Sequence, residues 1–185
     1  MDDRAGSRKR LGLILYVLFA TLTIFTLILA RIWNLQHVPS NVSGDEVTFL
    51  NDVIRIVYFP DKASLFSLMG DGSQAAINFY YMSWIMRPFS DADAILGMRL
   101  SSVLLSLGVL AVFYFYMSTK VEKVPSLVAT FLLGINPAFL NFSRATWMSV
   151  GRGLGLIGGL LSFIFIERAV AKGQWIWAVP GGLLA

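Results

Sequence analysis

The chain of 185 residues is unusually apolar, with 56% hydrophobic and 14% charged residues and a mean hydropathy of +0.68. This composition excludes an ordinary soluble domain, and three uncharged stretches of about 20 residues are each long enough to cross a bilayer as a helix. The net charge of +4 does not indicate nucleic-acid binding, because basic residues at membrane edges fix topology, and the lack of cysteine excludes a disulfide framework.

The predicted elements begin with a basic cytoplasmic tail at residues 1–10, because positive residues beside a span stay in the cytoplasm. Residues 11–32 form the first transmembrane helix, which is too long for the apolar core of a cleaved signal. An extracytoplasmic loop at 33–94 follows, with helices at about 46–59 and 74–89. The predicted fold is all-α, a polytopic transmembrane helical bundle with a helical first extracytoplasmic loop.

The rest of the chain alternates between spans and short connections. We predict transmembrane helices at 95–117, 124–143 and 153–166, cytoplasmic turns at 118–123 and 167–174, an extracytoplasmic loop at 144–152, and the start of a fifth span at 175–185. The three cytoplasmic segments are net basic, so this topology is self-consistent. We expect the chain to be the N-terminal part of a longer multi-pass protein, of the plasma membrane if the source is bacterial.

Two side-chain patterns describe the loop helices. In the first, apolar residues repeat at helical spacing: Phe49, Leu50, Val53, Ile54 and Val57. In the second, aromatic residues suited to the headgroup level crowd together: Phe79, Tyr80, Tyr81 and Trp84. Further along, Asn136-Pro137 falls inside the third span, where a membrane helix accommodates it by kinking.

An acidic pair, Asp45-Glu46, follows the first span in "NVSGDEVTF". Ser43 to Glu46 fits a capping box, so one interpretation is that the two acids simply start a helix. A second interpretation is functional, because an acid close to the bilayer is costly unless it faces a polar cavity. An ionised carboxylate at a helix start can accept a proton from a hydroxyl nucleophile. Both interpretations stay open on the local sequence.

Three other motifs bear on chemistry. Asp91-Ala92-Asp93 matches a DxD metal motif, but Ser90 to Asp93 also fits a capping box that opens the second span, and we favour the latter. Arg144 and Arg152 lie near the outer membrane face, where the positive-inside bias disfavours them. Each is either a snorkelling residue or a ligand for phosphate, which a planar guanidinium binds through paired oxygens.

The order of these motifs resembles the GT-C glycosyltransferases that use polyprenyl-phosphate sugars, in particular the protein O-mannosyltransferase and aminoarabinose-transferase branch. The stretches that carry the resemblance are "VPSNVSGDEVTFLNDV", "NFYYMSWIMRPF", "MRLSSVLLSLGVLAVFYFY" and "LLGINPAFLNFSRATW", within about residues 38–152. The chain departs from the family where Ala75-Ala76 replaces Pro-Pro and Ser101 replaces the proline after Arg-Leu.

The resemblance implies inverting transfer of a sugar from a polyprenyl-phosphate carrier to a protein, lipid or glycan acceptor on the extracytoplasmic face. Its implied site residues are Asp45 and Glu46 for catalysis, Arg144 and Arg152 for the lipid phosphate, and Arg99, Tyr80 and Tyr81 for support. No cofactor follows from it, and a divalent metal stays open. The piece alone is expected to be inactive. The alternatives are a transporter fragment with polar residues lining an outward-facing cavity and a small structural membrane protein.

Overall fold

The computed structural model describes residues 3–40, 43–58, 68–69, 74–90, 93–149 and 152–173, together with residues 176 and 179. Its helices are α1 (Asp3–Ile32), α2 (Gly44–Tyr58), α3 (Ala76–Met86), α4 (Ala94–Ser118), α5 (Lys123–Ile135), α6 (Pro137–Arg144) and α7 (Arg152–Lys172). A 3-10 helix, Thr146–Met148, connects α6 to α7, and Leu68–Met69 (β1) pairs antiparallel with Gln74–Ala75 (β2). The described residues are helical apart from this pairing of two short strands and the connections.

Three of the described helices are long and apolar enough to cross a membrane: Arg10–Ile32 within α1, α4, and α7. Helices α5 and α6 meet the same requirement as a pair, although they are bent by 64°. The described residues therefore contain three candidate spans, or four if the bent pair is one span. This confirms the all-helical part of the prediction, and the candidate spans are consistent with the predicted membrane protein.

Several boundaries differ from the prediction. The loop helix predicted at about 74–89 is the shorter α3 (Ala76–Met86), because Gln74–Ala75 pairs as strand β2. Helix α1 begins at Asp3, so most of the predicted tail continues the first helix. Helix α7 extends to Lys172 and includes most of the turn predicted at 167–174. The turn prediction relied on charged residues, but a helix can continue beyond the hydrocarbon core into the headgroups. The predicted start of a fifth span at 175–185 lies almost entirely outside the described residues.

The bend between α5 and α6 is encoded by Asn136-Pro137. Proline has no N–H group to donate to the preceding turn, so a continuous helix is interrupted there. The Asn136 side chain then caps α6, accepting hydrogen bonds from the N–H groups of Ala138 at 3.0 Å and Phe139 at 3.2 Å. The kink predicted at this dipeptide is thus a full break with a new helix start.

The bend leaves the carbonyl oxygen of Gly134 without its usual helical donor, and Arg31 supplies one at 2.9 Å. The same guanidinium donates to Ser106 Oγ at 3.0 Å and to the Leu27 carbonyl at 2.9 Å. Arg31 is fully buried. One side chain near the end of α1 therefore joins α1, α4 and α5, and it satisfies a carbonyl inside the bent candidate span of α5 and α6.

Helix α4 is the centre of the bundle, in contact with α3, α5, α6, α7 and the 3-10 helix. At one end of the bundle, which we call the loop end, α1 and α6 end while α4 and α7 begin. There Ser102 of α4 pairs with Ser149 at 2.9 Å. At the opposite end, the turn end, Lys120 after α4 forms an ion pair with Glu167 of α7.

Helices α2 and α3 pack on the start of α4 around an apolar core made by Phe49, Val53, Ile56, Ala76, Phe79, Met82, Met86, Ala94 and Met98. The predicted apolar face of α2 is partly wrong: Ile56 is buried, whereas Ile54 and Val57 are exposed. The aromatic residues of α3 are likewise divided, because Phe79 is fully buried while Trp84 is 67% exposed. The packing of α3 on two helices, rather than on lipid alone, accounts for this.

Gly153 provides a test of the packing between the 3-10 helix and α7. A Cβ atom at this position would lie 2.6 Å from the Met148 carbonyl oxygen and 2.9 Å from Leu105 Cβ. We expect Gly153→Ala to lower the free energy of unfolding by about 1–3 kcal/mol, because backbone must move to accommodate it. Gly155→Ala is the matched control, since nothing lies within 4 Å of its Cβ position. Thermal unfolding in detergent measures both, and equal midpoints would contradict the close contact.

Candidate functional site

The predicted capping box forms at the start of α2. The Glu46 N–H donates to Ser43 Oγ at 3.1 Å, and the Ser43 N–H donates to Glu46 Oε2 at 3.2 Å. This reciprocal pair fixes the first turn of α2 at the loop end of the bundle. The prediction of a helix start is confirmed, and the two acids of the pair then differ completely in their surroundings.

The carboxylate of Glu46 is buried, and its partners come from distant parts of the chain. Its Oε1 accepts hydrogen bonds from Thr146 Oγ1 at 2.9 Å and from the Thr146 N–H and Arg99 Nε, both at 3.3 Å. Its Oε2 accepts a bond from Arg99 Nη2, also at 3.3 Å. Glu46 therefore ties α2 to α4 and to the 3-10 helix.

Opposing effects act on the pKa of Glu46. Burial alone raises the pKa of a carboxyl group. Hydrogen bonds from Arg99, Thr146 and Ser43, together with the positive charge of Arg99, outweigh burial and hold the pKa of Glu46 below its ordinary value of 4.5. Glu46 is thus ionised at neutral pH, and it accepts bonds inside the protein instead of facing a substrate.

This lowered pKa predicts how stability changes in acid. A carboxyl whose pKa is lower in the folded state stabilises the fold fully above the unfolded value, here 4.5, and loses that contribution as pH falls through the folded value. We expect the temperature at which half of the wild-type protein is unfolded to decrease as the pH is lowered below about 4.5. In Glu46→Gln this part of the pH dependence should disappear. The midpoint temperatures of wild type and Glu46→Gln are measured between neutral pH and pH 3. The same dependence on pH in both proteins would contradict the ion pair.

Arg99 connects Glu46 to the segment that leaves α1. Besides the ion pair, its Nη1 donates to the carbonyl oxygens of Leu35 at 3.1 Å, Gln36 at 3.3 Å and Pro39 at 3.0 Å. The Arg99 side chain is 1% exposed. Its predicted supporting role agrees with these contacts, because every guanidinium nitrogen donates to protein oxygen.

Arg144 holds the same segment from the other side. Its Nη1 donates to the Ala30 carbonyl at 2.6 Å, and its Nη2 donates to Trp33 at 2.6 Å and Val38 at 3.2 Å. The residue is 9% exposed, and its buried Nε has no partner among the described residues. Since most of its donors are occupied by backbone carbonyls, the structure does not present Arg144 as an open phosphate ligand.

Asp45 and Arg152 are the two predicted site residues that remain open. Asp45 is exposed, and its carboxylate has no hydrogen bond or ion pair within the described part of the chain. The Arg152 guanidinium lies 4.8 Å from the ring centroid of Trp147 and 5.1 Å from that of Phe142. Stacking on rings leaves the edge of a guanidinium available for an anion.

Aromatic contacts connect the helix that carries Asp45 to Arg152. Phe49 lies one helical turn after Asp45 on α2, and its ring meets Trp147 edge to face with centroids 6.4 Å apart. The Arg152 guanidinium in turn lies over the ring of Trp147. Phe49 is buried and Trp147 is partly buried, so these rings join the first turns of α2 to the start of α7.

The predicted tyrosines belong to the packing of α3 against α2 and α4. Tyr81 donates from its hydroxyl to the Ser101 carbonyl at 3.1 Å, and burial raises the pKa of Tyr81 to about 12. It is therefore a neutral hydrogen-bond donor. Tyr80 packs, half-buried, against the core of α2 and α3. Both positions are compatible with the supporting role predicted for them.

The described residues contain no cluster of side chains that could bind a metal ion. In the described ranges no three histidine or acidic side chains come together, while Asp91 and Ala92 lie outside those ranges. Helix α4 begins at Ala94 with Asp93 as its N-cap, so the capping box predicted with Ser90 as N-cap is wrong. Instead the Ser90 hydroxyl donates to Asp93 Oδ2 at 2.8 Å.

Sequence reasoning missed Thr146 and the carbonyl partners of the two arginines. Thr146 is fully buried and supplies two of the bonds to Glu46. It lies 100 residues further along the chain, and nothing in the local pattern "SRATW" marks it as a partner. Backbone carbonyls carry no sequence signal at all.

No family model, curated protein or solved structure matches this chain. The interpretation of the site therefore depends on its geometry and on the order of its motifs.

Proposed function

We propose that this protein is a membrane glycosyltransferase that moves a sugar from a polyprenyl-phosphate carrier to a hydroxyl or amine acceptor. The observation that carries the proposal is the contrast within the acidic pair. Glu46 is buried and holds the first turn of α2 in place, whereas the neighbouring Asp45 carboxylate is exposed and unpaired among the described residues. A rigidly positioned, solvent-accessible carboxylate is what a general base requires.

The proposed reaction is a single displacement with inversion. Asp45 accepts the proton of the acceptor O–H or N–H as the acceptor atom attacks the anomeric carbon. The bond from that carbon to the phosphate oxygen breaks, and the electron pair leaves with the polyprenyl phosphate. Arg152 stabilises the negative charge that grows on the phosphate, as a guanidinium at the edge of a lipid environment is suited to do.

The proposed topology completes this scheme. We count the bent pair α5–α6 as the third of four spans. The turn end carries Lys120, Lys123, Arg168 and Lys172 and is assigned to the cytoplasm by the positive-inside rule. The loop end, with Asp45 and Arg152, then faces the extracytoplasmic side, where the sugar of a flipped lipid carrier is accessible.

The test uses membranes that contain the whole protein, expressed from its own gene. Radiolabelled polyprenyl-phosphate sugars of several kinds are supplied, and released polyprenyl phosphate is measured against membranes that lack the protein. We expect release from at least one donor, which also identifies the sugar. Release from none of them would contradict the proposal.

A transporter is the second candidate, because buried charges in candidate spans are typical of substrate pathways. The structure has buried arginines of this kind in Arg31, Arg99 and Arg144. Most of their donors already bind protein oxygen, so they are poorly placed to carry a solute. Uptake of labelled solute into proteoliposomes, without donor cleavage, would favour the transporter.

Arg152 gives a prediction specific to the donor. We expect Arg152→Gln to reduce kcat/KM for the lipid-linked sugar about ten- to a hundredfold, the loss of one charge-assisted hydrogen bond to phosphate. Arg55→Gln, which removes an exposed arginine of α2, is the matched control and should leave the rate unchanged. Equal rates in Arg152→Gln and wild type would remove Arg152 from the phosphate site.

A further inference from the structure

A cavity lies at the turn end, far from the acidic pair. Its volume is about 330 Å³, and it opens between the last turns of α4 and α7. The side chains that define it are Phe115, Tyr116, Lys120, Ile164, Glu167 and Arg168. One wall is thus apolar and aromatic, while the other wall carries charges, at the place where two candidate spans end.

The charges of this cavity do not cancel. Lys120 forms an ion pair with Glu167, and its ammonium also lies 5.7 Å from the Tyr116 ring centroid. Arg168 is exposed, and no acid pairs with it in the part of the chain that the structure describes. An ammonium has three donor hydrogens, so Lys120 retains donors beyond its bond to Glu167. The cavity therefore offers one free guanidinium and a partly free ammonium.

From this arrangement we propose that the cavity binds the headgroup of an anionic phospholipid. Its phosphodiester accepts hydrogen bonds from Arg168 and Lys120, and its acyl chains lie along Phe115 and Ile164 on the membrane side. Basic pockets between transmembrane helices at the headgroup level favour anionic lipids through charge and chain contacts together. The charge complementarity selects an anionic over a zwitterionic lipid, and the apolar wall selects a lipid over a soluble phosphate.

The lipid links α4 to α7 at the end opposite the proposed catalytic residues. Among the described contacts at this end, the ion pair of Lys120 with Glu167 and the edge-to-face contact of Tyr116 with Phe163 join the two helices. A bound headgroup adds a third connection through Arg168. The proposal is independent of the glycosyltransferase reaction, since it needs no residue of the loop end.

The experiment measures the unfolding midpoint of the purified whole protein as phosphatidylglycerol, phosphatidylcholine or soluble glycerol phosphate is added. We expect phosphatidylglycerol to raise the midpoint at lower concentration than phosphatidylcholine, with glycerol phosphate having no effect. Arg168→Gln should weaken the apparent affinity for phosphatidylglycerol about fivefold, the contribution of one basic residue at a headgroup. Native mass spectrometry counts the retained lipid.

Lys172→Gln is the matched control, because it removes an exposed charge one turn further along α7 and outside the cavity lining. It should bind phosphatidylglycerol as wild type does. Arg168 is exposed and makes no hydrogen bond or ion pair within the described ranges, so its variant should show the wild-type midpoint without lipid. Equal affinity of Arg168→Gln and wild type, no preference over phosphatidylcholine, or equal binding of glycerol phosphate would each overturn the proposal.

Discussion

Replacing Glu46 with alanine is expected to lower the free energy of unfolding by about 3–5 kcal/mol. The change removes the Glu46 carboxylate from its ion pair with the buried Arg99, whose side chain is 1% exposed. It also removes the acceptor of the Thr146 hydroxyl and N–H groups, and half of the capping box of α2. All of these contacts join the first turn of α2 to the start of α4 and to the 3-10 helix, so their loss weakens the packing of α2 on both elements.

The control is Asp45→Ala, which alters the neighbouring acid and should change stability little, because that carboxylate is exposed. Unfolding midpoints in detergent, with denaturant series where reversible, compare the two variants at neutral pH. A Glu46→Ala midpoint as high as that of Asp45→Ala would mean that the ion pair contributes nothing to the fold.

The opposite ranking is expected for turnover. Asp45→Asn should reduce the rate of sugar transfer about 10²–10⁴-fold, the range that removal of a general base produces, since the amide cannot accept the acceptor's proton. Asp45→Glu is the matched variant, because it keeps a carboxylate at the start of α2 and should recover part of the rate. If Asp45→Asn and Asp45→Glu lost the rate equally, position and not basicity would be the important property.

Features that depend on neighbouring residues were predictable from the sequence. The capping box from Ser43 to Glu46 and the break at Asn136-Pro137 each involve groups within four residues, and both form as the local chemistry requires. Long apolar stretches likewise indicated the candidate spans, because bilayer thickness alone fixes their length.

Features that depend on tertiary contacts were not predictable. Glu46 meets Arg99 across 53 residues and Thr146 across 100, so no local pattern distinguishes the buried acid from the exposed one beside it. Arg144 was predicted to bind phosphate because the positive-inside bias disfavours a basic residue near the outer membrane face unless it has a function there. Its contacts with carbonyls of the segment after α1 supply a structural reason that the sequence does not contain.

The same limit explains the error on α2. Helical periodicity indicated a broad apolar face on α2 but not which residues lie at its centre. In the structure the side of α2 that contacts α3 and α4 includes Glu46, Val53 and Ile56. This difference between the predicted and the observed buried side of α2 matters for the proposed chemistry, because Glu46 is buried and Asp45 is exposed.

The division of roles between the two acids is tested most directly by one paired measurement on the whole protein in its membrane. Polyprenyl phosphate release per folded molecule and the unfolding midpoint are determined for wild type, Asp45→Asn and Glu46→Gln. The structure predicts that Asp45→Asn keeps the midpoint and loses release, while Glu46→Gln has a lower midpoint but retains release per folded molecule. Undiminished release in Asp45→Asn, or an unchanged midpoint in Glu46→Gln, would contradict it.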